Sequence, residues 1–363
     1  MAAVIAAACE AQPLDPTSTG AAGTSGAAGI TGRGGTTGFG GDLGGSGGVT
    51  GVGGGTQCGA VPYSPQPIAP DILILLDASG SMNNDTADNT CSNGCGATSK
   101  WAQVTPAINA VVAETQDSIQ WGLKFFADTD ATCGVGSNVA VLVGAGNAGA
   151  IQNALLGRTS ANGGVTNGSR TPTRLAENAG AAYLSGLTDP SPKFLLLVTD
   201  GLPNCIPGSS DSAADDSAGT VAAVTAAAAA GIPTMVIGVS TGASAADATL
   251  SNVAIAGGYP RAGSPSYYPA SSAAELTAAL RALVDLTPSC LFTLPPAPGS
   301  YTSVDNIGVV VGGTPIPRDT SHAIGWDYTS AAHNAIEIFG QICDDIKAGA
   351  VTSVQIVFHC PIG

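Results

Sequence analysis

Two stretches of the chain are apolar at every position, Ile72–Leu76 within "DILILLD" and Phe194–Val198 within "KFLLLVTD". A strand with one wet face alternates apolar and polar residues, so unbroken runs predict strands covered on both sides, as in parallel sheets. Four further stretches read as strands, giving six: Asp71–Asp77, Trp121–Ala127, Val139–Val143, Lys193–Asp200, Ile232–Ser240 and a short Ser266–Ala270. Helical patterns lie between them. "TPAINAVVAET" places Thr105 as N-cap and Pro106 at the first helical position, and "TPTRLAENAGAAYLSG" repeats that device at Thr171–Pro172. An Ala-rich helix near Ala213–Ala230 and "SSAAELTAALRALVDL" follow. The alternation predicts an α/β fold, a doubly wound, mostly parallel six-stranded sheet. Between "WGLKFFA" and "VAVLV" there is no room for a helix, so one antiparallel edge hairpin is expected.

From Leu291 onward the texture changes. "NIGVVVGGTPIP" and "VTSVQIVFHC" alternate like half-exposed strands among prolines, which predicts a small β-rich extension over 291–363. At the other end, residues 10–57 are mostly Gly, Thr, Ser and Ala, with too little apolar bulk to offset chain entropy. They read as a disordered tether with an r.m.s. reach of roughly 35–40 Å. The first nine residues, "MAAVIAAAC", resemble the end of a secretion signal running into a bacterial lipobox, with Cys9 as the acylated residue; the plain alternative is a cleaved signal with a spare cysteine. The expected division is therefore 1–9 anchor, 10–57 tether, 58–290 α/β domain and 291–363 extension.

Composition narrows the function. Formal net charge is −15 with only 11 Lys+Arg in 363 residues, and no basic cluster occurs, so nucleic acid and anionic membrane surfaces are poor partners. No segment has the 18 or more consecutive apolar residues of a membrane span, so any membrane contact is expected through the lipid alone. There are nine cysteines; without Cys9 they form an even set at long spacings, which reads as disulfides in an exported protein. Cys91, Cys95, Cys133 and Cys205 are expected to gather at one end of the sheet, in any of three connectivities. Cys58 and Cys290 bracket the α/β domain and are paired on that ground, which leaves Cys343 with Cys360. A cysteine-only metal site is the sharper alternative for the first four, and an oxidised compartment argues against it.

Candidate chemistry concentrates at the strand ends. Asp77 closes the first strand and Asp200 the fourth, where ligands sit in open α/β sheets. In "DASGS" the residues Asp77, Ser79 and Ser81 alternate, so an extended turn points all three one way, and Thr171 opens a helix after the glycine-rich "NGGVTNGSR". Two carboxylates and three hydroxyls, with no sulfur or imidazole, suit Mg²⁺, or alternatively Mn²⁺ or Ca²⁺. Singly, Ser79, Ser81 and Thr171 read as helix caps and Asp200 as a turn residue; the four together do not.

This constellation resembles the von Willebrand factor A domain with its metal-ion-dependent adhesion site, through "DASGS", Thr171 of "RTPT" and Asp200 of "VTDG", over roughly Cys58–Cys290. The resemblance implies that Ser79, Ser81 and Thr171 meet the ion directly, that Asp77 and Asp200 act largely through water, and that a partner protein's Asp or Glu fills the last position. "LDASGSM", "KW", "WGLKFFAD…C" and "VTDGLPNC", with "VGGTPIPRD…GWDY…IEIFGQIC…VQIVFHC" in the tail, are similar to the cysteine-bearing A-domain surface lipoproteins of myxobacteria, gliding-motility adhesins among them. That likeness implies a lipid-anchored location at the outer membrane or cell surface. One departure stands out: Asn83–Ser99 is a long insert carrying two cysteines, whose Asp85 and Asp88 read as solvated loop residues rather than as a second cation site.

Catalysis is not expected. The three histidines, His322, His333 and His359, all lie in the tail; "ASGSM" is not a G-x-S-x-G elbow; and no phosphate-binding or dinucleotide-binding glycine motif opens a helix after a strand. A cation between Asp77 and Asp200 keeps both ionised, which suits neither as a general acid. The sequence thus predicts a cation-dependent protein-binding module that adheres through a partner's carboxylate, the alternative being an envelope scaffold whose ion only stiffens its loops.

Overall fold

The computed structural model describes residues 61–64, 66–128, 132–166, 170–241, 244–285, 290–297 and 303–358. Cys9, Cys58, His359, Cys360 and the segments expected to be an anchor and a tether lie outside them.

Along the chain, β1 (Val61–Tyr63) and β2 (Asp71–Asp77) lead through the insert to α1 (Lys100–Thr115), β3 (Gln120–Phe126) and β4 (Val141–Gly144). Then come α2 (Ala148–Arg158), α3 (Thr173–Ser185), β5 (Lys193–Thr199), α4 (Ser217–Ala229), β6 (Thr234–Val239), α5 (Ser244–Ala256), β7 (Tyr268–Ala270) and α6 (Ala273–Val284). The last part holds β8 (Leu291–Thr293), β9 (Ile307–Val311), β10 (Thr314–Ile316), β11 (Gly325–Tyr328), β12 (Ala335–Phe339), α7 (Gln341–Lys347) and β13 (Val354–Phe358). None of the helices among the described residues is long and apolar enough to cross a membrane.

The expected six-stranded sheet is present, in the order β4-β3-β2-β5-β6-β7. All neighbours are parallel except β3 and β4, which form the antiparallel edge. Alternate residues of β2 explain its unbroken apolar run. Ile72, Ile74 and Leu76 face a core with Trp101 and Ile108 of α1 and Leu280 of α6; Leu73 and Leu75 face another with Ala176 of α3, Val224 of α4 and Leu250 of α5. The chain leaves β2 for β3 on one side and later returns to β5 on the other. The carboxyl ends of β2 and β5 are therefore the switch point of the sheet, where the topology opens a crevice.

Two helix starts differ from expectation. Helix α1 begins at Lys100, because Ser99 Oγ accepts from Ala102 N at 3.1 Å, and Pro106 lies inside it, not at its first position. The buried Trp101 and Val104 hold this first turn in the core although Pro106 has no N–H to donate back along the helix. Helix α3 starts at Thr173 with Pro172 as N-cap, so Thr171 lies just outside it.

The extension is β-rich, as expected. It has one sheet in the order β1-β13-β9-β10 and another in the order β11-β12-β8, with Phe292, Val309, Trp326, Ile336, Ile356 and Phe358 in a shared core. Its edge strand β1 comes from the front of the chain, with Val61 opposite Phe358 and Tyr63 opposite Ile356.

Three disulfides fall among the described residues. Cys91–Cys95 and Cys133–Cys205 take one of the three open connectivities, with Cα–Cα distances of 5.0 and 5.6 Å. The third corrects the sequence assignment. Cys290 pairs with Cys343, 5.7 Å apart at Cα, and not with Cys58, so Cys343 is not available to Cys360. The reason is topological: Cys290 leads into β8, which pairs with β12, and α7 follows β12 directly and brings Cys343 back alongside.

Candidate metal centre

Asp77 ends β2 with its side chain fully buried. Its Oδ1 accepts from the Ser79 backbone N at 2.8 Å, which bends the chain out of the strand, and its Oδ2 accepts from Thr199 Oγ1 at 2.6 Å, which ties it to β5. Beyond the bend a short 3₁₀ turn, Gly80–Asn83, sets Ser79 and Ser81 side by side, Oγ to Oγ 3.0 Å. Ser81 Oγ donates to Asp200 Oδ1 at 2.9 Å; a hydroxyl has one hydrogen, so Ser79 is the donor to Ser81. Ser79, Ser81 and Asp200 thus form one hydrogen-bonded chain, and Asp77 is bonded to its first member through the backbone.

Thr171 arrives from a third loop and is 6% exposed. It lines a cavity of about 330 Å³ together with Ser81, Asp200, Lys100, Arg170 and Asn204. Asn204, just after β5, positions it: Thr171 N donates to Asn204 Oδ1 at 2.8 Å, and Asn204 N donates to the Thr171 carbonyl at 2.9 Å. The Cys133–Cys205 disulfide anchors the residue next to Asn204 to the β3–β4 connection, from which the Thr132 carbonyl accepts from Arg170 N at 3.3 Å. Lys124, buried in β3, secures that connection by donating to Asp128 Oδ2 and to the Gly136 and Asn138 carbonyls at 2.7–2.9 Å.

Electrostatics sharpen the picture. Burial, and then the neighbouring Asp200 charge, push the Asp77 carboxyl well above the usual carboxylate range. Burial likewise raises Asp200, against the lowering effect of Lys100, whose Nζ lies 2.9 Å from Asp200 Oδ2. Lys100 bridges Asp200 to Asp88 and leaves Asp77 without a cationic partner, so the dry crevice keeps negative charge that a dication would relieve. The donor set fits such an ion. Every group is a hard oxygen, and each serine oxygen that gives up its hydrogen keeps a lone pair for a cation. The Asp77 and Asp200 carboxylates with the Ser79, Ser81 and Thr171 hydroxyls would hold it, and it would supply positive charge toward an exogenous carboxylate.

Lys100 and Asn204 had no part in the sequence assignment. Each acts on a residue in another loop, and each was touched only within a longer motif of the family likeness, Lys100 in "KW" and Asn204 in "VTDGLPNC". In the insert, Asp85 accepts from Ala87 N and Asn89 N at 3.0 and 2.8 Å, as a turn-forming acid does, and Asp88 pairs with Lys100 at 2.7 Å. Among the described residues no group of three or more His, Cys, Asp or Glu gathers as a metal cluster, and Cys91, Cys95, Cys133 and Cys205 are bonded to one another in pairs. His322 stacks on Phe339, and His333 stacks on Tyr328, both within the extension.

The α/β part has the doubly wound, mostly parallel six-stranded sheet that the von Willebrand factor A resemblance implied, with a single antiparallel edge. No protein-family model and no curated protein matches the sequence. Among solved structures the chain is similar to the pilus adhesin SpaC from Lactobacillus rhamnosus GG in its open conformation, at 17% identity and TM-score 0.44, covering 81% of this chain and 39% of that one. The chain thus spans well under half the length of that adhesin. It is also similar to manganese-loaded Plasmodium vivax TRAP protein, at 14% identity and TM-score 0.42, over 77% of this chain and 97% of that one. A third similarity is to proximal thread matrix protein 1 from the mussel byssus with a zinc-occupied MIDAS motif, at 16% identity and TM-score 0.39, over 63% and 50% of the two chains.

Proposed function

We propose that this chain is an exported, cation-dependent protein-binding module with an adhesive role. Asp77, Ser79, Ser81, Thr171 and Asp200 hold a divalent cation, Mg²⁺ first and Mn²⁺ or Ca²⁺ as substitutes, and a partner protein's Asp or Glu completes its coordination. The observation that carries the reading is the continuous Ser79–Ser81–Asp200 hydrogen-bonded chain in a cavity shared with Thr171, at the switch point of a parallel sheet. A dication held largely by neutral hydroxyls keeps excess positive charge, and that excess recruits a carboxylate.

On this reading the α/β domain over 58–290 carries the binding site. The extension over 291–363 supports it, and Cys9 carries a lipid that holds the protein at the outer membrane or cell surface. The likeness to myxobacterial surface lipoproteins favours adhesion in the service of motility. The chemistry is recognition, with no bond made or broken.

The test is capture of cell-surface or matrix protein by the purified chain with and without EDTA, repeated with Asp77→Ala and Thr171→Ala. Loss of capture on chelation, and in variants that stay folded, supports the proposal. Unfolding on chelation favours a scaffold whose ion only stiffens the loops. Radiolabelled palmitate incorporation that disappears in Cys9→Ser tests the anchor.

A further inference from the structure

A lysine opens a helix at the end where a positive charge is least favoured. Lys100 is the first residue of α1, at the positive end of the helix dipole, and Ser99 caps the backbone immediately before it. Its side chain is nevertheless 1% exposed and runs into the crevice, with Nζ 2.9 Å from Asp200 Oδ2 and 2.7 Å from Asp88 Oδ1. Asp200 therefore divides its oxygens between Ser81 and Lys100. Asp88 belongs to the cysteine-bearing insert and has a left-handed backbone, φ 64°; Asn84 Nδ2 also donates to it, at 3.0 Å. Both Lys100 and Asp88 line the cavity that contains Ser81 and Thr171.

We infer that Lys100 and Asp88 are a tethered stand-in for the dication and its carboxylate ligand, so that the site is self-occupied until both arrive. This rests on the cation site proposed above and adds what sets its affinity. The ammonium and an entering dication both require Asp200. Two positive charges on one buried carboxylate repel strongly where water is scarce, so Lys100 holds cation affinity down. The Asp88 carboxylate is already drawn to the positive charge in the cavity, and an incoming carboxylate must displace it. A dication beside Lys100 leaves the crevice with more positive charge, which the incoming carboxylate compensates. Cation and carboxylate therefore tighten each other's binding, and by linkage the coupling is the same in both directions.

The test is calorimetric titration of the full chain with Mn²⁺ in sodium chloride and in sodium acetate at matched ionic strength. The variants are Lys100→Gln, which removes the charge but keeps a donor for Asp200, and Asp88→Asn. The inference expects Lys100→Gln to bind Mn²⁺ roughly tenfold tighter than wild type in chloride. It expects acetate to tighten Mn²⁺ binding in wild type, and more strongly in Asp88→Asn. Equal or weaker Mn²⁺ binding by a folded Lys100→Gln overturns it, as does an acetate response unchanged by Asp88→Asn. If Lys100→Gln does not fold, the acetate response of Asp88→Asn, at an exposed position, decides alone. Wild type that binds Mn²⁺ without these differences removes this inference only, whereas absence of Mn²⁺ heat in every variant at millimolar concentration removes the cation site as well.

Discussion

Asn204 grips Thr171 on both sides of its Cα, its Oδ1 accepting from the Thr171 N–H and its backbone N–H donating to the Thr171 carbonyl, at 2.8 and 2.9 Å. The hydroxyl proposed above to meet a cation is thus placed by a residue from a different loop, with no contact to the ion required of that residue.

Asn204→Ala is expected to weaken Mn²⁺ binding several-fold while the fold survives. It removes the side-chain acceptor for one part-buried N–H, worth about 1 kcal/mol, and leaves the second hydrogen bond, which is backbone to backbone. Calorimetric titration beside a thermal melt separates the two effects; an unchanged affinity would show that Thr171 is held by other means.

The Cys133–Cys205 disulfide closes a loop of sequence separation 72 and ends beside Asn204. Replacing both cysteines by serine is expected to cost about 2–5 kcal/mol in stability and to weaken Mn²⁺ binding in the same protein. The Cys91–Cys95 bridge, with a separation of 4, constrains far less unfolded chain, so its double serine variant should melt close to wild type. Denaturant titrations of both double variants check the contrast.

Glu177 of α3 is fully buried, and burial pushes its carboxyl up to about 8 although Thr234 Oγ1 donates to it at 3.2 Å. A raised carboxyl favours the folded state while protonated. Its stabilising contribution is complete below the ordinary value of about 4.5 and is lost as pH rises through about 8. Glu177→Gln, which imitates the protonated form, should therefore melt near wild type at about pH 5 and several degrees above it at about pH 9. Taking the difference between the two proteins at each pH cancels other groups such as Asp71, which burial raises to about 7.

Peptide mapping without reduction is expected to recover Cys290 linked to Cys343. Cys58 and Cys360 are then the two left from the even set. The ladder between β1 and β13 sets Val61, three positions after Cys58, opposite Phe358, two positions before Cys360. A Cys58–Cys360 peptide is the expected further product, and recovery of Cys58 with Cys290 would reinstate the pairing set aside above.

Strands β2 and β5 were legible because burial on both faces leaves a run of apolar residues, and Asp77 and Asp200 because a carboxylate one or two positions after such a run has few structural uses. Helices α2 and α5 were not. Of α2 only Ile151 and Leu155 are buried, and α5 packs with Leu250 and Val253 among small residues, so neither writes a wide apolar stripe. Thr105–Pro106 misled because a proline after a cap residue signals a helix start, while the actual cap, Ser99, lies in a loop with no apolar pattern. Lys100 and Asn204 were invisible for another reason. Their partners are 100 and 33 positions away, and a single polar residue carries no mark of what it will meet.

The pairing of β1 with β13 has a mechanical consequence. Between Val61 and a load at Asp77 the direct route along the chain is short, first a three-residue edge strand and then β2. Strand β2 lies between two parallel neighbours, so a pull along its axis loads the hydrogen bonds on both sides in shear, all at once. The expected Cys58–Cys360 bridge would pass part of any pull on the front of the chain into β13. Traction would thus be borne first by the extension, before the crevice is deformed.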